Sequence, residues 1–188
     1  DWWHHALEYL METAWVYKVK PNQQVKSWLR ATTMEIVRRS DDEWIGPFFR
    51  DHQSEPPKGN LETAHLSMAV ALVLDLAENI FSEKEIIEIK TKLKETAIPQ
   101  CMRWLDSNYH LANWRCIVMA GVTVPAAVLN EQDILEKMQD EYEDCLKVIQ
   151  LDGSYAESLQ YSNYCYFGLM MTYESLIRSQ NELENILT

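Results

Sequence analysis

The chain has 188 residues, 47% of them hydrophobic and 24% charged, with a formal net charge of −12. One domain fits that length, the apolar share excludes a disordered chain, and the acidic total argues against nucleic acid, whose phosphates require a basic surface. Seven Trp and nine Tyr either supply core mass or line a carbohydrate-sized cleft, and composition does not separate the two uses.

In chain order, Trp3, Leu7, Leu10, Met11, Ala14 and Trp15 recur at three- and four-residue steps, which predicts a helix over residues 2–19 with one apolar stripe. Lys20-Pro21-Asn22 is a turn, because proline excludes the helical conformation for its predecessor. A second helix places Val25, Trp28, Leu29, Ile36 and Val37 on one face. Residues 40–60 hold three Pro and two Gly and cannot form one helix. A loop of that length in a small domain points to binding, with Trp44, Phe48, Phe49, Arg50 and His52 available to line a rim or to pack.

Gly59-Asn60 leads a third helix with Leu61, Ala64, Met68, Leu72, Val73 and Leu76 inward; His65 falls on or beside that stripe, as a core residue or a ligand. Ser82 to Glu85 is a capping box that opens a helix carrying Ile86, Ile89, Leu93 and Ala97. Pro99 ends or kinks that helix, and Cys101 to Leu105 continue it briefly. From Trp114 to Leu129 nearly every side is apolar, so this helix is surrounded by protein, and Gly121 and Pro125 within it indicate close packing or a bend. Asn130 to Asp133 cap the next helix, Asp152-Gly153 make a turn, and final helices run over Leu159–Ser179 and from Asn181 onward.

About seven helices in antiparallel succession give an all-α fold, a bundle or a ring of helical hairpins, in a single domain over 1–188. In a ring, alternate loops fall on one end. The loops at 40–60, 106–113 and 151–158 then share a rim that gathers Trp44, Arg50, His52, Asn113, Arg115, Tyr161 and Tyr164. Cys101, Cys116, Cys145 and Cys165 form no CxxC pair and read as buried free thiols, with a disulfide framework as the alternative. No cluster calls for a metal or other cofactor, and no run reaches the ~18–20 uninterrupted apolar residues of a membrane span, so no membrane association is expected.

Asn113-Trp114 ahead of an apolar helix with Gly121 and Pro125, followed by Asp152-Gly153-Ser154-Tyr155 with Glu157, Tyr161 and Tyr164, resembles the polysaccharide lyases with an (α/α) toroid, above all the heparinase II/III and oligoalginate lyase group. Pro57 to His65 is similar to the segment that enters a toroid helix in that group. The resemblance implies an incomplete (α/α) toroid acting on an anionic, uronic-acid-containing polysaccharide or oligosaccharide by β-elimination, in the periplasm or secreted, with a β-sandwich domain to follow beyond Thr188. It implies that Asn113 neutralises the uronate carboxylate, that Tyr164, or Tyr161, serves as general acid and base, and that Trp44, Arg50, His52, Trp114, Arg115 and Glu157 contact substrate. A phenolate at neutral pH needs a cation beside it, from Arg115, Arg50 or His52. Trp114 departs from the pattern, since several members carry a histidine there. Two alternatives stand beside this one. The first is an (α/α)-barrel glycoside hydrolase with paired carboxylates, Asp152 with Glu157 or Glu43 with Asp51. The second is a glycan-binding helical module without catalysis.

Overall fold

The computed structural model describes residues 2–46, 55–109, 112–155 and 157–179. The expected all-α class holds: among these residues the regular elements are helices, and the only strand-like feature is an isolated antiparallel bridge between Ile149 and Tyr155. We number the helices α1 (Trp2–Val19), α2 (Gln23–Val37), α3 (Leu61–Ala77), α4 (Glu83–Lys92), α5 (Ile98–Ser107), α6 (Asn113–Leu129), α7 (Gln132–Leu146) and α8 (Leu159–Ser179). The helix expected from Asn181 onward lies outside the described residues.

Local chemistry sets most boundaries. Asn22 Oδ1 accepts from the backbone N–H of Gln24 at 2.8 Å and starts α2, Asn60 does the same for α3 from Glu62 and Thr63, and Ser82 with Glu85 forms the capping box that opens α4. Around Pro99 the α-helical run is interrupted: a π-helical turn, Leu93–Ala97, joins α4 to α5, and the proline stands in the first turn of α5, where its missing N–H is tolerated. Asn130 was expected to help cap α7; instead it closes α6 in the left-handed conformation (φ 60°, ψ 39°), a role that Asn tolerates well.

α6 lies between α3 and α8, and α3 in turn packs against α1. These four form an inner row, while α2, α5 and α7 pack behind it. The inner helices run parallel. Their first turns meet at one end, where His4, His65 and Tyr164 are in ring contact, and their last turns line a shared groove of about 380 Å³ at the other, between Met11, Leu72, Val124 and Met171. Helices flanked on so many sides must be apolar all round, and nearly every residue of α3 and α6 is buried. Leu61–Ile80 is long and apolar enough to cross a membrane, yet 72% of it is buried within the protein.

Two glycines fix how closely the row packs. A Cβ on Gly121 would lie 2.6 Å from Ala64 Cα, and one on Gly168 would lie 2.6 Å from the carbonyl oxygen of Cys116. The close packing expected at Gly121 is therefore a backbone-to-backbone contact between α6 and α3. Ser67 seals it by donating to the Gly121 carbonyl at 2.7 Å. Gly121→Val forces those helices apart and lowers stability by about 1–3 kcal/mol or more, read from the urea midpoint; an unchanged midpoint would mean that the two backbones are not in contact.

Candidate active site

The shared rim forms at the end where the inner helices begin, although not with every residue expected on it. Asn113 is the first residue of α6. Its side chain does not cap the helix; the N-cap is Ala112, which has no side-chain oxygen to offer. The Asn113 amide is 2% exposed and reaches across to α8's leading segment, where Nδ2 donates to Glu157 Oε2 at 2.5 Å. Tyr155 Oη donates to the same carboxylate oxygen. Tyr155 is held by the turn before it. Ile149 and Tyr155 pair across that turn, Gly153 sits at φ +82°, and Ser154 N donates to Asp152 Oδ1 at 2.9 Å.

One turn into α8, Tyr164 Oη lies 2.6 Å from Nε2 of His65 on α3, and the ring of His4 from α1 stacks edge-on to His65 with centroids 4.2 Å apart. Burial holds His65 neutral, with the neighbouring His4 adding to the effect, so that its pKa falls to about 3. Burial also pushes the Tyr164 phenol above its ordinary value, and the Glu62 carboxylate pushes it further. The charge acting on Tyr164 is thus negative, and the phenol stays protonated. That is the state of a proton donor, not of the phenolate base that a cation would produce. Tyr161, one turn earlier on α8, is 50% exposed.

Buried polar atoms that lack a hydrogen-bond partner among the described residues collect at this end. They include Trp3 Nε1, Asn60 Nδ2, Glu62 Oε2, His65 Nδ1 and Asn113 Oδ1. Such atoms are rare and costly in a folded chain.

Other expected site residues lie elsewhere. Trp44 does not line a rim: it is fully buried and donates its indole N–H to the carbonyl of Ile36 at 3.1 Å. A tryptophan on a proline-rich loop has its greatest gain in burial, and here that gain wins. Arg115 is likewise not a substrate contact. Its guanidinium forks onto Glu141 of α7, with Nη2 at 2.7 Å from Oε2, and donates to the carbonyls of Leu105 and Asn108. Trp114 is half-buried, its ring centroid 6.5 Å from that of Trp104. Arg50 and His52 lie outside the described residues, as does Asp51.

Of the carboxylates weighed for a hydrolase, Asp152 is held below the usual range by its hydrogen bonds from Ser154, and Glu43 accepts from Ser40 as part of a capping box; Asp51 lies outside the described residues. All four cysteines are buried free thiols, with the Cys116 and Cys165 sulfurs 3.3 Å apart beneath the site. Among the described residues no group of three or more His, Cys, Asp or Glu is placed to hold a metal ion.

His4 and His65 are the site residues that the sequence concealed. They lie 61 positions apart, and His65 sits within an apolar helix where a packed core histidine is the ordinary reading. The sequence matches no family model, and no curated protein aligns with it.

Proposed function

We propose that the chain is the helical part of a polysaccharide lyase, an arc of an (α/α) toroid that binds a uronic-acid-containing glycan at the mouth of its inner helices and cleaves it by β-elimination. One observation supports this reading best: the buried Asn113 amide is directed onto a carboxylate at the same mouth where the protonated phenol of Tyr164 is held by His65. The motif resemblance over 111–168 points the same way.

Elimination removes the proton at C5 of the uronate, forms the C4–C5 double bond and breaks the bond from C4 to the glycosidic oxygen, which takes up a proton. The carbanion that develops next to the carboxylate is stabilised when an amide hydrogen-bonds that carboxylate without adding charge of its own. Asn113 is suited to that role, with Tyr155 as a second donor. The C5 proton passes to Tyr164 Oη as that phenol hands its own proton to the neutral His65 Nε2 beside it; Tyr164 then protonates the departing oxygen and takes its proton back from His65. Tyr161, one turn before Tyr164 on α8, is the second phenol and is half exposed.

The test is the product formed from acidic oligosaccharides. Lysis leaves an unsaturated sugar that absorbs in the near ultraviolet, while hydrolysis gives reducing ends without that absorbance. Tyr164→Phe is expected to cut the rate by about 10²–10⁴-fold with binding nearly intact, and Asn113→Ala by about 10²–10³-fold. Saturated products would overturn the lyase assignment in favour of a hydrolase, and binding without turnover would leave a glycan-binding module.

A further inference from the structure

We propose that Glu157 is an internal ligand: its carboxylate occupies a seat built for a carboxylate from outside, and the substrate's carboxylate displaces it on binding. The inference rests on the uronate reading for the identity of the incoming group, but the seat itself is argued from geometry alone.

Three features define the seat. Two neutral donors, Asn113 Nδ2 and Tyr155 Oη, converge on a single oxygen of Glu157. Two donors aimed at one oxygen suit a carboxylate better than a neutral acceptor, since a charged acceptor strengthens both bonds. The seat also lies at the start of α6. Ala112 stands at the N-cap and provides no side-chain acceptor, whereas α2, α3 and α4 carry Asn or Ser there. Alanine is among the poor capping residues, so this helix start, like those of α5 and α7, has no side-chain cap and favours an anion beside it. Finally, the Asn113 side chain is 2% exposed, so its bond to the carboxylate is shielded from competing water.

Glu157 is poorly suited to be a permanent part of this arrangement. It is exposed, and it belongs to the short link between the 149–155 turn and the first residue of α8. A side chain in that position can turn outward without disturbing a helix. When it does, two oriented donors and a helix N-terminus face the mouth. Glu157 then keeps the donors paired when no ligand is present and competes with any carboxylate that arrives. The competition favours a polyanionic chain, which brings further contacts, over a free monocarboxylate.

Glu157→Gly and the wild type are compared by thermal unfolding in sodium acetate and in sodium chloride of equal ionic strength, and by calorimetric titration with an acidic oligouronate and its carboxyl-reduced counterpart. Acetate is expected to raise the melting temperature of Glu157→Gly and not that of the wild type, and the rescue is expected to vanish in Asn113→Ala/Glu157→Gly. Glu157→Gly is expected to bind the oligouronate about tenfold or more tightly than the wild type, the scale of one charge-assisted hydrogen bond, with no gain for the reduced sugar. If Glu157→Gly does not fold, Glu157→Gln retains the side chain's bulk with a weaker acceptor and is expected to bind the oligouronate more tightly than the wild type. Equal acetate effects on both proteins, or weaker oligouronate binding by both variants, overturns the proposal. Acetate rescue without oligouronate binding preserves the seat and removes the uronate; oligouronate binding without rescue does the reverse.

Discussion

Arg115→Met lowers the unfolding free energy by about 3–5 kcal/mol, measured from urea denaturation, because it strands a buried carboxylate and two carbonyls at once. The side chains of Arg115 and Glu141 are only 10% and 15% exposed, so the charge left behind cannot be hydrated cheaply. The two carbonyls, of Leu105 and Asn108, belong to the end of α5 and the loop that leads to Asn113. Arg115 thereby ties three helices together and positions the loop on which the amide depends. Arg115→Lys is expected to fall between the two, since an ammonium cannot reproduce the forked bond to Glu141 while reaching both carbonyls. Replacing both partners, as in Arg115→Met/Glu141→Leu, is expected to recover much of the loss. A loss below about 1 kcal/mol for Arg115→Met would show that the pair is solvated and not structural.

Acid is expected to unfold the protein well before its carboxylates account for the loss, through His65. In the unfolded chain this imidazole takes a proton near pH 6.5; in the fold it stays neutral down to about 3. The folded value is depressed, so the stability is complete above pH 6.5 and is lost as the pH falls toward 3, while the unfolded state alone binds the proton. At about 1.4 kcal/mol per pH unit, the loss reaches about 3 kcal/mol by pH 4. The groups facing His65 are His4 from α1 and the Tyr164 phenol from α8, and the Glu62 carboxylate acts on that phenol. His65→Gln keeps a hydrogen-bonding partner for Tyr164 but does not titrate. Its stability should start lower at pH 7 and fall less steeply between 6.5 and 4. Parallel curves for the two proteins would show that His65 is hydrated in the fold.

What the sequence made legible was periodicity and punctuation. The capping box at Ser82, the helix led by Asn60 and the uniformly apolar α6 each depend on neighbours within a turn or two and were placed correctly; in α1 the stripe holds at Trp3, Leu7, Leu10 and Ala14, while Trp15 is 49% exposed. Asn113, Glu157 and Tyr164 were singled out by a family resemblance, and the structure sets Asn113 against Glu157 and Tyr164 against His65. What stayed hidden was pairing across long separations. Arg115 follows an exposed-looking Asn-Trp and invited a role at the mouth, although a cation on a helix surrounded by protein has to meet an anion, and Glu141 on the next helix was available. Trp44 was misplaced for a related reason: a loop's composition does not show which of its aromatics the core will take. His4 and His65 meet only because four helices start at one end, which no local pattern encodes.

That common starting end has an electrostatic consequence. Each α-helix carries about half a positive charge at its beginning and half a negative charge at its finish. The inner row gathers four beginnings around the mouth, while α2, α5 and α7, running the other way, bring their finishes to the periphery of the same end. In a molecule of net charge −12, these partial charges offset part of the negative field that Glu62 and Glu157 set up at the mouth, an effect confined to the first turns of the helices and weakened by added salt.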